Sequence, residues 1–245
     1  MSKTQTIQKI LYLPDIHVPF NIPLDPVWEF AEDWKPTKII IGGDAHDFTS
    51  VCHWIADQSR VLDGGTVAQN FEELRIEVIQ PVMKLCKSVI YLEGNHCRWL
   101  RLAALANPNG RGYWELEKNL PRGITIIPEN IAYHINKNLC YMHGLYTSKY
   151  HAAQTVHACH KSVIYGHTHD AQSYTDISPV DVKVSHKAQS AGCLCNLNPH
   201  YMRNKPSRWV NGFNYCVVDN KTEHFWDTQV YIVDGEFWAN GRRYK

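Results

Sequence analysis

Five short apolar segments of the chain each run directly into a glycine, a carboxylate, an asparagine or a histidine. Runs rich in Ile, Val, Leu and Tyr are typical of buried strands, and ligand sites in α/β folds gather outside the carboxyl ends of strands. We therefore expect an α/β fold with a functional site at one edge of a sheet. The five polar turns are Asp15-Ile-His17, Gly43-Asp44, Gly94-Asn95-His96, Met142-His143-Gly144 and Gly166-His167-Thr168-His169.

The first half of the chain alternates predicted strands with predicted helices. Asp25-Pro26 offers an N-cap and a first-turn proline for one helix. An amphipathic pattern over residues 67–85 predicts a second helix, kinked at Pro81. The predicted strands of this half are residues 7–13, 38–41 and 88–92.

The second half is predicted to be richer in β-structure, with one helix over residues 148–160 and long surface loops over 107–123 and 196–212. A βα half followed by a β-rich half predicts an α/β fold: a four-layer αββα sandwich, with two mixed β-sheets flanked by helices. No linker divides the sequence, so a single domain over residues 1–245 is expected. The predicted strands are residues 124–127, 131–135, 139–143, 163–165, 172–175, 215–218 and 229–233.

The polar turns supply a mixed set of metal-ligand side chains: two carboxylates, one amide oxygen and four imidazoles. In Asp15-x-His17 and His167-x-His169, residues two apart share a face if the segment is extended. A mixed nitrogen and oxygen set favours Mn, Fe or Zn over Ca or Mg. Seven ligands are too many for one tetrahedral ion and fit two ions that share a carboxylate. Two such ions leave an excess positive charge, which would bind a phosphate and lower the pKa of a bound water.

As an ordered set, these motifs resemble those of the calcineurin-like metallophosphoesterase superfamily. The stretch Ala191-Gly-Cys-Leu-Cys-Asn-Leu-Asn-Pro199, with Trp209 and Gly212-Phe213, resembles members encoded in phages and prophages. The resemblance implies a dinuclear metal centre and a metal-bridging hydroxide as the nucleophile. Mn²⁺ is the first candidate for the two divalent ions, and Fe, Zn, Ni and Mg are the alternatives.

The resemblance also assigns roles to residues. It implies that Asp15, His17 and His169 hold the first metal. Asn95, His143 and His167 would hold the second, and Asp44 would bridge the two. His96 would be the catalytic residue, contacting the phosphate and donating a proton to the leaving oxygen. Asn95 and His96 would therefore contact the substrate, and Arg98 could add a bidentate phosphate contact or form a surface salt bridge.

One departure from the family pattern affects the predicted catalytic histidine. Some members have an acidic residue after Gly-Asn-His, whereas this chain has Cys97 followed by Arg98. A carboxylate that orients His96 must then come from elsewhere or be absent. Cys193 and Cys195, the closest pair of cysteines, could bind a structural metal with a nearby histidine, although ordinary packing is the more common role.

Composition limits the partners and the cellular location that we expect for this protein. A net charge of +1 from 25 basic and 24 acidic residues predicts no broad basic field for nucleic acid. Eight scattered cysteines, no signal peptide and no apolar run of membrane length predict reduced thiols, no membrane association and a cytoplasmic location, or the host cytoplasm if the chain is phage-encoded. No protein partner is predicted.

The predicted activity is hydrolysis of a phosphate ester by a phosphodiesterase or DNA-processing nuclease. Weak support for a nucleic acid or nucleotide substrate comes from a loop that combines Arg203, Lys205 and Arg208 with Tyr201 and Trp209. The same loop could instead pack its aromatic rings inward. The alternative enzyme is a phosphomonoesterase acting on nucleotides or phosphoproteins. A third possibility is a non-catalytic scaffold of the same fold, which would be expected to lose ligands that this chain keeps.

Overall fold

The computed structural model describes residues 6–52, 65–110, 112–181, 185–199 and 202–245. Tyr201, from the predicted aromatic loop, lies outside the described residues. The strands are β1 Ile7–Leu13, β2 Lys38–Ile41, β3 Val89–Leu92, β4 Ile124–Ile127, β5 Tyr133–His134, β6 Leu139–Tyr141, β7 Ser162–Tyr165, β8 Ser173–Ile177, β9 Ser185–Ser190, β10 Gly212–Asp219, β11 Phe225–Tyr231, β12 Phe237–Ala239 and β13 Arg242–Tyr244. The α-helices are α1 Asp25–Trp34, α2 Val67–Leu74, α3 Gln80–Leu85, α4 Asn95–Ala106, α5 Leu116–Asn119 and α6 His151–Cys159.

Two large mixed sheets form the centre of the molecule. The first has the order β11-β10-β1-β2-β3-β4. Strands β1 to β4 are parallel to one another, and β10 is antiparallel to both of its neighbours, β1 and β11. The second has the order β5-β6-β7-β9-β8, in which β6, β7 and β9 are parallel. Strands β12 and β13 form a separate two-stranded sheet.

Alternating side chains of β1 show why the sheets form inner layers. Ile10 and Tyr12 join a buried cluster that also contains Leu139, Tyr141 and Ile164 of the second sheet. Leu11 and Leu13 point the other way, into a larger cluster with helices α1 to α4. Because both faces of the sheet are covered, β2 is apolar at consecutive positions rather than at alternate ones.

The outer face of the second sheet is covered by α6. Ala152 and Val156 of this helix pack against Val163, Tyr165 and Ala188. Helices therefore lie outside each sheet, and the predicted four-layer αββα fold class is confirmed.

Local details differ from the sequence prediction at two helices. Asp25 is the first residue of α1, and Leu24 occupies the N-cap position, so Asp25 is not the cap. The predicted helix over residues 67–85 is α2 and α3 joined by a π-helical segment, Arg75–Ile79. Pro81 has no N–H to donate to the preceding turn, and the wider π-helical turn lies just before it in the chain.

Some strands were predicted too long and others were not predicted. Only Tyr133–His134 of the predicted strand 131–135 is a strand. Strand β9 has the sequence Ser-His-Lys-Ala-Gln-Ser, which lacks the apolar alternation that marks a strand, yet it pairs with both β7 and β8. Its small residues Ala188 and Ser190 are fully buried between neighbours. The predicted loop 107–123 contains the short helix α5.

Candidate metal centre

The five polar turns meet where the carboxyl ends of β1, β2, β3, β6 and β7 approach one another. Within the first sheet, His17 donates its backbone N–H to the carbonyl of Asp44 over 2.9 Å. Between the sheets, the backbone N–H of His167 donates to Asp15 Oδ2 over 2.8 Å. The seven predicted ligands therefore gather at one edge of the sandwich, although they come from distant parts of the chain.

Asp15, His17 and His169 form a first cluster, in which the ligand atoms lie within 4.8 Å of one another. The Nε2 atoms of the two histidines are 3.2 Å apart, and His169 Nε2 is 3.3 Å from Asp15 Oδ1. All three residues are buried. Ligands held about 2.0–2.2 Å from one ion lie about 3.0–3.5 Å from each other, so these separations fit a shared cation.

Asp44, Asn95, His143 and His167 form a second cluster. His143 Nε2 lies 3.2 Å from both Asn95 Oδ1 and Asp44 Oδ2. The other ring nitrogen of His143 donates to the carbonyl of Gly42 over 2.9 Å, which leaves Nε2 as the ligand atom. Asp44 also has a carboxylate oxygen within 4.8 Å of ring nitrogens of His17 and His96, so it lies between the two clusters.

Two further observations test whether a cation fits. Asp15 Oδ1 is buried and accepts no hydrogen bond from the part of the chain that the structure describes, which is costly for a carboxylate unless a cation satisfies it. A metal-site cavity with a volume of about 320 Å³ adjoins the two clusters. Its lining includes the carboxylates of Asp44 and Asp47 but, among the described residues, no Lys or Arg. It is lined by His17, Asp44, Asp47, Cys52, Asn95, His96, Trp99, His167, His169 and Trp209.

The backbone reaches this geometry in a way that the strand pattern did not predict. Asp15 and His17 have φ values of 41° and 53°, and His167 and His169 have 70° and 58°. These segments are therefore not extended, although Asp15 and His17 still lie in one cluster. His167 and His169 lie in different clusters, which is the division that the resemblance of the motifs implies. Left-handed backbone at non-glycine residues is strained and collects at functional sites.

Glycines in the turns allow side chains to approach the backbone closely. A Cβ at Gly94 would lie 2.1 Å from Asp44 Oδ1, and one at Gly166 would lie 2.1 Å from Asp15 Oδ2. Any other residue at these two positions would displace a carboxylate of the candidate metal centre.

Electrostatics favour the charged forms of His17, His143 and Asp44 and the neutral form of His167. Burial lowers the pKa of His17, but the hydrogen bond and charge of Asp47 outweigh it and raise the pKa to about 9. Burial likewise opposes the charged form of His143, and Asp44 raises the pKa to about 9. The pKa of His167 falls to about 4 because of burial and the neighbouring His143. Burial raises the pKa of Asp44, yet the surrounding histidines hold it well below its usual range.

His96 is oriented chiefly by the backbone carbonyl of Asp47. His96 Nδ1 donates to the backbone carbonyl of Asp47 over 2.7 Å and lies 3.5 Å from the carboxylate of the same residue. The backbone N–H of His96, at the start of α4, donates to Asp44 Oδ1 over 3.0 Å. Cys97 is buried, with its Sγ 3.8 Å from the hydroxyl of Tyr91. Because Asp47 closely follows Asp44 in the sequence, its position is equally typical of a residue in the substrate cleft, a residue that supports a ligand and a residue in a solvated loop.

Arg98 lies away from the site. Its side chain is about half exposed, and Nε is 3.7 Å from a carboxylate oxygen of Glu129. It does not line the metal-site cavity. The structure thus gives Arg98 the salt-bridge position rather than the phosphate-binding one, because α4 turns the residue two positions after His96 outward.

The histidine near Cys193 and Cys195 is His169, which the sequence did not identify, and sequence reasoning placed little weight on two tryptophans. Cys195 Sγ lies 3.7 Å from His169 Nδ1, and Cys193 is within the same group. His169 therefore presents Nε2 to the first cluster and Nδ1 to a thiol. Trp99 and Trp209 line the metal-site cavity. In the sequence, Trp209 is notable as an aromatic residue next to Arg208 and as part of the stretch that resembles phage-encoded members.

No protein-family model matches the chain, and no curated protein matches its sequence. Solved structures of similar fold include Vps29 from Entamoeba histolytica complexed with Zn²⁺, with 13% identity, 96% of this chain and 97% of that chain covered, and a TM-score of 0.49. A double mutant of that protein has 12% identity, the same coverage and a TM-score of 0.47. Vps29 from Chaetomium thermophilum has 10% identity, 90% and 96% coverage, and a TM-score of 0.44.

Identities of 10–13% are too low to transfer an activity or a partner to this chain. They lend no support to the resemblance to phage-encoded members or to the expectation that no protein partner exists. Among the described residues, no helix combines the length and apolarity needed to span a bilayer.

Proposed function

We propose that this chain is a metal-dependent phosphoric ester hydrolase with a dinuclear metal centre, and that it prefers diesters. The observation that carries the proposal is the position of Asp44 between the first cluster and the second cluster, where one carboxylate can serve both ions. Each cluster would hold one divalent cation, with Mn²⁺ as the first candidate, and Fe, Zn, Ni or Mg as alternatives. The metal-ligand roles follow the resemblance of the motifs.

When bound, two such ions would offset the charge of the phosphate and lower the pKa of a water for in-line attack. His96 has the position of the general acid. Because Nδ1 donates to a carbonyl, it keeps its hydrogen, and Nε2 is the atom that gains and loses the proton. Burial lowers the pKa of His96, so a proton on Nε2 passes readily to the leaving oxygen as the bond from phosphorus to that oxygen breaks.

The diester preference has less support than the reaction class. It is supported by the resemblance of the motifs and by the segment of Arg203, Lys205 and Arg208, which leads into the cavity residue Trp209. The nearly neutral charge of the chain favours a small ester over a long nucleic acid. A phosphomonoesterase is the second candidate, and the substrate assay below separates the two.

The test compares hydrolysis of a bis-aryl phosphate and a mono-aryl phosphate with Mn²⁺, Ni²⁺, Zn²⁺ or Mg²⁺ added. We expect faster turnover of the diester, and a large monoester preference would overturn that choice. A metal-loaded protein that hydrolyses neither ester would instead favour a non-catalytic scaffold.

Two variants test the assigned roles. His96→Ala should lower kcat by about 10²–10⁴-fold, while His157→Ala, which removes a largely exposed imidazole from α6, should not change it. Unchanged turnover in His96→Ala would remove this residue from the mechanism. Asp44→Ala should lose both ions in metal analysis, and retention of two ions would refute the bridging role.

A further inference from the structure

Two tryptophans lie at the ends of a row of three imidazoles in the metal-site cavity. The ring of Trp99 is 3.9 Å from that of His96, and the ring of Trp209 is 4.2 Å from that of His169, measured between centroids. Between these ends, His17 lies 4.7 Å from His96 and 4.9 Å from His169. The candidate metal centre is thus flanked by an indole at either end.

Both rings lie outside the apolar core that the structure describes. Among the described residues, neither Trp99 nor Trp209 belongs to the apolar clusters that hold the sheets and helices together. Both are partly exposed and both line the cavity. Metal binding and proton transfer do not require an aromatic surface, and an indole in the wall of the cavity offers one to a substrate.

Backbone hydrogen bonds hold Trp209 in place beside the first cluster. The next residue, Val210, donates its N–H to the carbonyl of His169 over 2.8 Å and accepts from Cys193 N–H over 3.0 Å. Arg208, on the other side of Trp209, is exposed. A ring that stacks on this indole would therefore have a cationic side chain in the adjoining segment, suited to a substrate with a base and a phosphate.

The size and position of the cavity agree with a substrate larger than inorganic phosphate. A volume of about 320 Å³ is at the lower end of the range for small-molecule sites. Trp99 lies against the proposed general acid His96 and so adjoins the departing group. Trp209 lies at the opposite end of the row, where the retained substituent of the phosphate would extend.

We propose that the site takes nucleotide phosphoesters and that Trp209 stacks against the base of the retained nucleoside, with Trp99 adjoining the leaving group. Base stacking on an aromatic side chain is tolerant of base identity, so recognition would be by class rather than by a particular base. The inference rests on the proposed function for the position of the phosphate, but the stacking itself is measurable as binding.

The experiment uses adenosine 5′-monophosphate and ribose 5-phosphate, which differ only by the base, as probes of the Mn²⁺-loaded full chain in calorimetric titrations. We expect the nucleotide to bind about tenfold more tightly, within the range for one stacked base. Trp209→Ala should bring the two affinities within about twofold, and Trp209→Phe should keep a nucleotide preference above about threefold. Trp226→Ala, which removes an exposed tryptophan of β11, is the matched control and should keep the full preference.

Equal binding of the two probes by the wild-type chain, no binding of either, or a preference that survives Trp209→Ala would overturn the inference. The bis-aryl phosphate assay reports separately on the proposed function. Turnover of that ester with equal binding of the two probes would support the hydrolase activity and rule out the stacking role. A Trp209-dependent preference for the nucleotide without any turnover would support a nucleotide-binding site and rule out the hydrolase activity.

Discussion

Asp47 contacts two histidines of the candidate metal centre through different atoms. Its carboxylate accepts from His17 Nδ1 over 2.9 Å, and its backbone carbonyl accepts from His96 Nδ1 over 2.7 Å. One residue therefore orients a predicted metal ligand and the predicted general acid. Such supporting carboxylates fix the tautomer of a histidine and raise the basicity of its other nitrogen.

Replacing Asp47 by Asn should weaken metal binding at the first cluster about 10–100-fold, because His17 loses its carboxylate partner. Turnover of the aryl diester at saturating Mn²⁺ should fall by a similar factor. Calorimetric metal titration and steady-state assays measure the two effects. Asp176→Asn, at a carboxylate that is half exposed on β8, is the control. An Asp47→Asn protein with unchanged metal affinity and turnover would contradict this role.

The raised pKa values of His17 and His143, both about 9, predict that metal binding releases protons. At pH 7.5 both imidazoles of the metal-free chain are charged, whereas a metal ligand must be neutral. We expect about two protons to leave as both sites fill, one from each histidine. Calorimetry in two buffers of different ionisation enthalpy counts these protons, and a binding heat that is independent of the buffer would rule the prediction out.

The turn from β3 into α4 is the element on which most of the site depends. Gly94 is the N-cap of α4, and the first two residues of the helix are the predicted ligand Asn95 and the predicted acid His96. Asp44 accepts the backbone N–H of His96, so a carboxylate from another turn caps this helix. The helix N-terminus in turn stabilises the charge of Asp44.

Gly94→Ala should damage the site while leaving the fold in place. The backbone of Gly94 has φ −104°, which alanine can adopt, but its Cβ would lie 2.1 Å from Asp44 Oδ1. We expect at least a tenfold loss of metal affinity, as for other changes that displace groups around a ligand. Gly235→Ala adds a Cβ with no neighbour within 4 Å, at φ +80°, and should alter stability but not metal affinity. Equal metal affinities in the two variants would show that the close approach is unimportant.

At the scale of the whole molecule, the predicted ligands join the two sheets. Asp15, His17, Asp44 and Asn95 follow strands of the first sheet, whereas the other three histidines follow β6 and β7. Cations held between them would bind the folded chain far better than the unfolded one. Folding and metal binding should therefore be linked.

Metal should raise the thermal stability, and most strongly at alkaline pH. Mn²⁺ at 100 times its Kd should add about 2.7 kcal/mol per site. In the metal-free chain, the pKa of His17 and of His143 is raised to about 9 from about 6.5 in the unfolded state. That stabilisation is complete below pH 6.5 and is lost as the pH rises through 9.

The measurement is Tm against pH with a chelator or with Mn²⁺. The metal-free Tm should fall between pH 6.5 and 9.5, and the difference between the two curves should widen over that range. A Tm that does not respond to metal at any pH would contradict the linkage, and His143→Ala, which removes one ligand of the second cluster, should reduce the metal-induced rise.

Much of the fold and of the candidate metal centre was determined by the sequence. The order of apolar segments and polar turns predicted the four-layer fold and the seven candidate ligands, because strand formation and ligand chemistry depend on residue types close together in the chain. Only the tertiary structure decided the contacts around those residues. Most of the turns that carry the ligands are left-handed rather than extended, the backbone carbonyl of Asp47 accepts from His96, and α4 turns Arg98 outward, toward Glu129. Trp99 and Trp209 meet in one cavity for the same reason: contacts between residues far apart in sequence depend on packing of whole elements, which no local pattern encodes.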